Sequence, residues 1–250
     1  MGNLPTIDIA IPVYNEEQDL PRSIDILTRY LKENLENPWR VIIADNGSTD
    51  NTLSVAEMLS TKYPGVTSVR IPQKGRGRAL RQVWLESTAN IVSYMDVDLS
   101  TDLVHLRQLV QAVEEGAHIA IGSRIIKGSR IKRSLKREVI SRCYNALIRI
   151  MFLTPFRDAQ CGFKAVDRNA ARALVPLVKN NNWFFDTELL IIAATRGFRI
   201  KEIPVHWEDD PGTSVKVVST AWEDLKGLLR LRFRGIPSLR KASPEASKEA

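Results

Sequence analysis

An α/β fold with a mostly parallel central sheet and flanking helices is what this 250-residue sequence predicts. Three observations carry the prediction. Short apolar runs rich in β-branched residues recur at 6–13, 39–44, 67–71, 91–95 and 118–122, as in strands buried on both faces. Segments of helical length and periodicity separate them, the alternation that winds a parallel sheet. Polar loops rich in Asp, Asn and Gly follow the runs, and in open α/β sheets ligands bind outside the carboxyl ends of the strands.

Taken in order, residues 6–13 form a strand that Pro12 should stop, turning out through Tyr14-Asn15-Glu16-Glu17 into a helix over 17–35. The strand at 39–44 ends in Asp45-Asn46-Gly47-Ser48-Thr49-Asp50, a βα loop on its plainest reading. The strand at 67–71 leads to Lys74-Gly75-Arg76-Gly77-Arg78. Glycines beside a helix start, with three cations, suit a phosphate as well as a solvated basic turn. Residues 91–95 run into Asp96-Val97-Asp98. Two carboxylates there suit a divalent metal held against a diphosphate, or a simple strand-end turn. Asp102 is read as capping the next helix.

A strand at 118–122 is followed by an amphipathic helix over 131–151, about 30 Å long. Its apolar positions (Ile131, Leu135, Val139, Ile140, Cys143, Tyr144, Leu147, Ile148, Met151) leave two readings open, core packing with a solvated basic face or attachment to a membrane surface. A helix near 182–190, a strand over 200–207 and a second amphipathic segment from Val218 to Leu229 complete the fold. Residues 238–250 lack periodicity and are read as a disordered tail. His105, His118 and His206 are scattered and are read as structural. There is no internal repeat and no interdomain linker, so 1–237 is expected to be one domain.

Hydrophobic content of 44% and charged content of 26% are ordinary for a soluble globular protein. Two cysteines, Cys143 and Cys161, give neither a disulfide framework nor metal-site spacing. No apolar run reaches a membrane span and no signal peptide is evident, which places the expected locale in the cytoplasm. The net charge of +7 is unevenly distributed. Residues 124–149 contain nine basic side chains against one acid, Glu138, a local charge of +8 that leaves the remainder at −1. Such a patch is aimed at something anionic: phosphate, an acidic membrane or nucleic acid.

Together these strings resemble the family 2 glycosyltransferases of GT-A fold, and most closely the polyprenyl-phosphate (dolichyl-phosphate) sugar synthases. The broad likeness rests on 11–17, 45–50 and Asp96-Val97-Asp98. The narrower one rests on Gly122-Ser123-Arg124, Arg137 with Ser141, 158–164, 183–190, and Trp207 followed by 211–214. The resemblance implies a Rossmann-like sheet with an amphipathic C-terminal helical part, a nucleotide-binding half over about 1–123 and an acceptor- and membrane-facing half over about 124–237. Pro12, Tyr14, Glu16 and Asp45 would line the nucleotide pocket, with Arg76, Asp186 and Glu188 also binding the nucleotide sugar. Asp96 and Asp98 would hold the diphosphate through Mg²⁺ or Mn²⁺. Arg124, Arg137 and Ser141 would hold the lipid phosphate, and Asp98, Arg124, Arg137 and Asp158 would form the catalytic set.

The sequence also departs from the family pattern. Asn46 stands where many members have Asp and Arg76 where Lys is usual. Ser100 stands where mannose synthases tend to have Gln, and Asp209 or Asp210 falls about where they place a phosphate-binding Arg. These departures favour UDP-glucose over GDP-mannose as donor. The expected partners are therefore a nucleotide sugar, a polyprenyl phosphate and the cytoplasmic face of a membrane, peripherally bound, with a membrane-protein partner left open. A nucleic-acid-binding protein using 124–149 is the rival from another class. It is disfavoured because the segment has no stacking aromatics and leaves the strand-end carboxylates unexplained.

Overall fold

The structure, a computed structural model, describes residues 4–209 and 217–239. Its seven-stranded sheet has the order β3-β2-β1-β4-β7-β5-β8. These strands are β1 (Ile7–Val13), β2 (Trp39–Asn46), β3 (Val66–Ile71), β4 (Ile91–Met95), β5 (Ile119–Ser123), β7 (Phe163–Asp167) and β8 (Ile200–Pro204). All neighbours are parallel except β7, which runs antiparallel between β4 and β5. A small parallel pair, β6 (Arg130–Lys132) with β9 (His206–Glu208), lies apart from it.

Helices cover both faces. On one, α1 (Leu20–Asn34), α2 (Thr52–Lys62) and α4 (His105–Glu114) bury Leu27, Leu31, Leu59, Leu106 and Leu109 against Ile9, Ile11, Val41 and Ile43. On the other, α3 (Arg76–Glu86), α6 (Arg168–Leu174) and α7 (Phe185–Thr195) pack Trp84, Leu174, Phe185 and Leu189 on Tyr94, Ile119 and Val166. Residues Phe185 to Ala193 of α7 are all buried, the apolar run Leu189 to Ala193 together with the polar Asp186, Thr187 and Glu188. Gly77 lets α3 approach α7, since a Cβ there would lie 2.5 Å from Phe185 Cβ. Two long helices, α5 (Leu135–Phe152) and α8 (Val217–Arg234), close the molecule beyond β5.

Five expectations need correction. Pro12 does not end β1, which stays in register through Pro12 with Ala44 and Val13 with Asp45. Pairing with β4 ends at Ala10, so the missing N–H of Pro12 costs no ladder bond there. The stretch 163–167 was not read as a strand, because Lys164 interrupts its apolar run. In the fold that lysine is wholly buried with polar partners. The strand at 200–207 is two strands in different sheets, broken at Val205. The first part of the helix at 131–151 is β6, with Ser134 as the N-cap of α5, accepting from Arg137 N. Asp102 does not cap α4 itself, whose N-cap is Val104 without a side-chain bond; its Oδ1 accepts from Val104 N at 3.1 Å in the turn just before. His105 is structural: Nε2 accepts from His206 N at 3.0 Å, and the two rings pack edge to face. The tail from 240 onward lies outside the described residues.

α5 is oriented against its hydrophobic periodicity. Its buried positions are Ser141, Asn145 and Ile148, whereas Leu135, Ile150 and Leu153 are 84, 75 and 88% exposed, with Val139, Ile140, Cys143 and Leu147 also exposed. α8 likewise exposes Trp222, Leu229 and Phe233 while burying Leu228 and Leu231.

Candidate active site

Parallel strands deliver β1, β2 and β4 to one edge at their carboxyl ends, and the side chains expected to bind a nucleotide converge there. The 14–17 turn is sewn to the loop after β2. Asn15 N donates to Ser48 Oγ at 3.0 Å, Thr49 N to Asn15 Oδ1 at 2.8 Å, and Glu16 N to Thr52 Oγ1 at 2.8 Å. Asp45 is buried and accepts from Ser48 N at 3.1 Å, which fixes the loop start. Tyr14 offers its ring to the Lys74 ammonium, 3.3 Å from the centroid. Asn46, where an Asp is usual, donates through Nδ2 to Val13 O at 2.6 Å and accepts from Gly75 N at 3.0 Å. The amide supplies both a donor and an acceptor here, which an ionised Asp does not. It thereby sets the start of α3 and the position of Arg76. Gly75 has φ +155°, and a Cβ there would lie 2.6 Å from Asn181 O.

Arg76 is the hub of a buried charge cluster. Its guanidinium donates to Asp96 Oδ1 at 2.8 Å and to Asp186 Oδ2 at 2.5 Å. Tyr94 Oη donates to Asp186 Oδ1 at 2.5 Å, and Lys164 Nζ lies 3.1 Å from both Tyr94 Oη and Asp186 Oδ1. Burial disfavours the Arg76 charge, but Asp96, Tyr94 and Asp186 outweigh it and hold the guanidinium protonated well above its usual range. Burial likewise opposes ionisation of Asp186, and Lys164 and Arg76 reverse that, lowering its pKa. Glu188, two residues further along α7 and so on nearly the opposite side of the helix, is wholly buried. Its Oε2 pairs with Arg230 of α8 at 2.8 Å and accepts from Asn180 N at 2.9 Å. Asp186 therefore sits with the nucleotide edge, while Glu188 ties α7 to α8.

Asp96 and Asp98 leave β4 together. The Asp96 carboxylate is partly exposed and lies against Gly162, where a Cβ would fall 1.8 Å from Oδ2. Asp98 is exposed, its Oδ1 accepting from Ser100 N at 2.9 Å, and Leu99 between them adopts φ +51°. Among the described residues no group of three or more His, Cys, Asp or Glu side chains could hold a metal. The carboxylates of Asp96 and Asp98 at this accessible edge are nonetheless hard oxygen donors, the chemistry that would suit a divalent cation such as Mg²⁺ or Mn²⁺.

The loop at 158–162 connects this edge to the basic half. Asp158, wholly buried, grips Arg124 at the end of β5. Arg124 Nε donates to its Oδ2 at 2.8 Å, Arg124 Nη2 to its Oδ1 at 2.9 Å, and Arg124 N to its Oδ2 at 2.9 Å. Burial opposes both charges, and the pair overcomes it, with Arg124 raised and Asp158 lowered. Asp158 is thus the counterion of Arg124 rather than an exposed base. Burial pushes the Cys161 thiol up to about 12, so it is inert. Gln160 Nε2 donates to Asp224 Oδ2 of α8 at 3.0 Å. Asp224, buried near Tyr144, has its pKa pushed up to about 7 by burial.

Beyond Arg124, four of the eight basic side chains up to Arg149 pair with carboxylates among the described residues. Arg133 pairs with Glu138 at 2.5 Å and Arg137 with Asp209 at 2.5 Å, while Lys132 pairs with Glu208 and Arg142 with Glu138. Arg124 and Arg133 both lie over the Trp207 ring, 5.4 and 5.8 Å from its centroid. Ser141, one turn from Arg137, is buried with its Oγ lacking a hydrogen-bond partner among the described residues.

Sequence reasoning assigned no role to Tyr94, Lys164, Asn46 or Asp224. A lone lysine inside an apolar strand is the one signal that was legible, since a buried ammonium needs partners.

Comparison with known proteins agrees with this geometry. The profile of "Glycosyl transferase family 2" matches residues 8–175. Glycosyltransferase AglD of Haloferax volcanii is 36% identical over 215 residues, 85% of this chain but 34% of its own length. The chain thus spans about a third of that relative. Dolichyl-phosphate beta-glucosyltransferases of Saccharomyces cerevisiae and Mus musculus are 27% and 31% identical, covering 91% of this chain and 74% and 75% of their own lengths. Glucosyl-3-phosphoglycerate synthase of Mycobacterium tuberculosis superposes with a TM-score of 0.69 at 21% identity over 94% of this chain and 82% of that one. Another crystal form of it contains Mn²⁺, UDP and glucosyl-3-phosphoglycerate (TM-score 0.69, 20% identity, 94% and 81% coverage). With its GT-A architecture and a profile match over most of its length, this chain belongs to the family 2 glycosyltransferases.

Proposed function

We propose that this enzyme moves a hexose, glucose in preference to mannose, from a uridine diphosphate sugar to the phosphate of a polyprenyl (dolichyl) lipid at the cytoplasmic face of a membrane. The names of the yeast and mouse relatives support this acceptor and sugar, and the UDP-bound mycobacterial neighbour supports the nucleotide. The observation that carries the reading is the loop at 158–162, which touches both halves of the reaction. Gly162 packs on Asp96 at the donor edge and Asp158 holds Arg124 on the acceptor side.

In this reading Asp96 and Asp98 hold a Mg²⁺ or Mn²⁺ ion, which when bound stabilises charge on the departing diphosphate. Tyr14, Glu16 and Asp45 line the nucleotide pocket, and Arg76 supplies a fixed positive charge beside it, held in place by Asp186. A lipid phosphate is anionic at neutral pH and attacks the anomeric carbon without a strong base. Arg124, Arg137 and the unpartnered Ser141 hydroxyl hold that phosphate and offset repulsion between the two anions. One in-line displacement of an α-linked sugar gives a β-linked product.

The outward apolar rows of α5 and α8 support a membrane location. Leu135, Val139, Ile150, Leu153, Trp222 and Phe233 are exposed among the exposed cations Lys136, Arg142, Arg149, Arg232 and Arg234, the composition of an interfacial helix. Among the described residues no helix is long and apolar enough to cross a membrane.

The test presents the protein with a short polyprenyl phosphate, Mn²⁺ and each of UDP-glucose, GDP-mannose, UDP-galactose and UDP-N-acetylglucosamine. Fastest turnover with UDP-glucose is expected. Preference for GDP-mannose would overturn the sugar assignment, and transfer to no lipid phosphate would remove the acceptor class.

A further inference from the structure

Arg137, on the first turns of α5, does not wait with an open guanidinium. Its Nη1 meets Asp209 Oδ1 at 2.5 Å, with both side chains only partly exposed. Asp209 immediately follows β9, the strand whose Trp207 lies under Arg124 and Arg133. Its backbone is fixed as well, because Asp209 N donates to Lys132 O at 2.9 Å, extending the β6–β9 ladder by one bond. An oxyanion is thus delivered by a strand end to the guanidinium of Arg137, one helical turn from Ser141, whose hydroxyl has no hydrogen-bond partner among the described residues.

We propose that Asp209 is an internal stand-in for the acceptor phosphate, which must displace it from Arg137 to bind, and that this exchange sets acceptor affinity and selects for phosphomonoesters. The inference rests on the reading of Arg137 as a phosphate ligand. A carboxylate carries one negative charge and two acceptor oxygens. A phosphomonoester carries nearly two charges and three oxygens, so it takes the guanidinium from the carboxylate. A phosphodiester or a carboxylate ligand, with a single charge, gains little by the exchange. Discrimination arises from the competitor already in place, as specificity arises from a difference of affinities. Arg124 differs in kind, because Asp158 holds it from a wholly buried position through three hydrogen bonds and is not displaceable in this way.

The experiment compares wild type, Asp209→Asn, Asp209→Glu and the double variant Asp209→Asn/Arg137→Ala. Binding of phenyl phosphate, inorganic phosphate and diphenyl phosphate is measured by calorimetry, and KM is determined for a short polyprenyl phosphate. Asp209→Asn should bind phenyl phosphate roughly fivefold more tightly, the scale of one partly exposed ion pair. It should also narrow the preference for phenyl over diphenyl phosphate and lower the acceptor KM with the nucleotide-sugar KM unmoved. Asp209→Glu should resemble wild type, and the double variant should lose the gain. Unchanged or weaker phosphate binding by a folded Asp209→Asn, or a gain that survives loss of Arg137, would overturn the proposal. If the binding gain appears but no variant glycosylates a lipid phosphate, the acceptor assignment fails and the role of Asp209 stands.

Discussion

On the proposed reading, the donor edge at the carboxyl ends of β1, β2 and β4 and the acceptor face around α5 handle anions in different ways. At the donor edge Arg76 is held between the partly exposed Asp96 and the buried Asp186, and Asp186 pairs again with the buried Lys164. At the acceptor face Arg124 is also held by a buried carboxylate, Asp158, but beyond it Lys132 of the two-stranded ribbon and Arg137 of α5 are exposed or partly exposed and pair with Glu208 and Asp209. The first arrangement is preorganised and costly to disturb, since breaking one member leaves a buried charge unpaired. The second is adjustable, because a partly exposed pair is worth about 1 kcal/mol or less and yields to a better anion. A transferase that recognises one soluble and one membrane-borne anion has reason to be rigid on the first side and exchangeable on the second.

The strongest challenge to this contrast is at Asp98. Asp98→Ala should reduce turnover by about a thousandfold or more while the thermal melt stays close to wild type, because the side chain is exposed. Excess chelator should have the same effect, and full activity in chelator would remove the metal from the donor edge.

Lys164→Met probes rigidity itself. It should cost about 3–5 kcal/mol in denaturant unfolding, as Asp186 loses its buried ammonium partner. A loss under about 1 kcal/mol would mean that the cluster is no more preorganised than the acceptor face.

On the other side, Lys136→Glu with Arg149→Glu should leave the melt unchanged and weaken binding to anionic vesicles by roughly 1 kcal/mol per charge. Leu135→Ser with Ile150→Ser should also weaken binding, and more so at high salt, where the apolar part dominates. Unchanged flotation of both pairs would assign this face to a protein partner.

The smallest expected effect sharpens the boundary between the halves. Asp224 binds its proton in the folded state up to about pH 7, against an ordinary carboxylate near 4. In that window the folded state therefore holds more protons than the unfolded one, and stability falls as pH rises from about 4 through about 7. Asp224→Asn should flatten this decline, stabilising the protein at pH 8 by on the order of 1–2 kcal/mol, read as the melting temperature against pH. An unchanged slope would place the titration elsewhere.

By itself the sequence determined the first five strands, their order of appearance and the edge at which Asp45, Arg76, Asp96 and Asp98 gather. Apolar runs of β-branched residues specify buried strands locally, and parallel winding brings every carboxyl end to one side regardless of detail. Position along the chain is then nearly position in the site. Three features were decided only by tertiary structure. The antiparallel insertion of β7 depends on a lysine whose burial is tolerable solely because Tyr94, Asp186 and Cys161 O meet it from distant segments. The splitting of 200–207 follows from two neighbours, β5 and β6, competing for one extended run. The outward turn of α5 follows from what its other face must satisfy: Asn145 Oδ1 accepts from Ala159 N at 2.9 Å inside the loop that joins donor and acceptor. Periodicity reports that a helix has an apolar stripe, but which stripe faces the core depends on the polar groups that the rest of the fold leaves to be satisfied there.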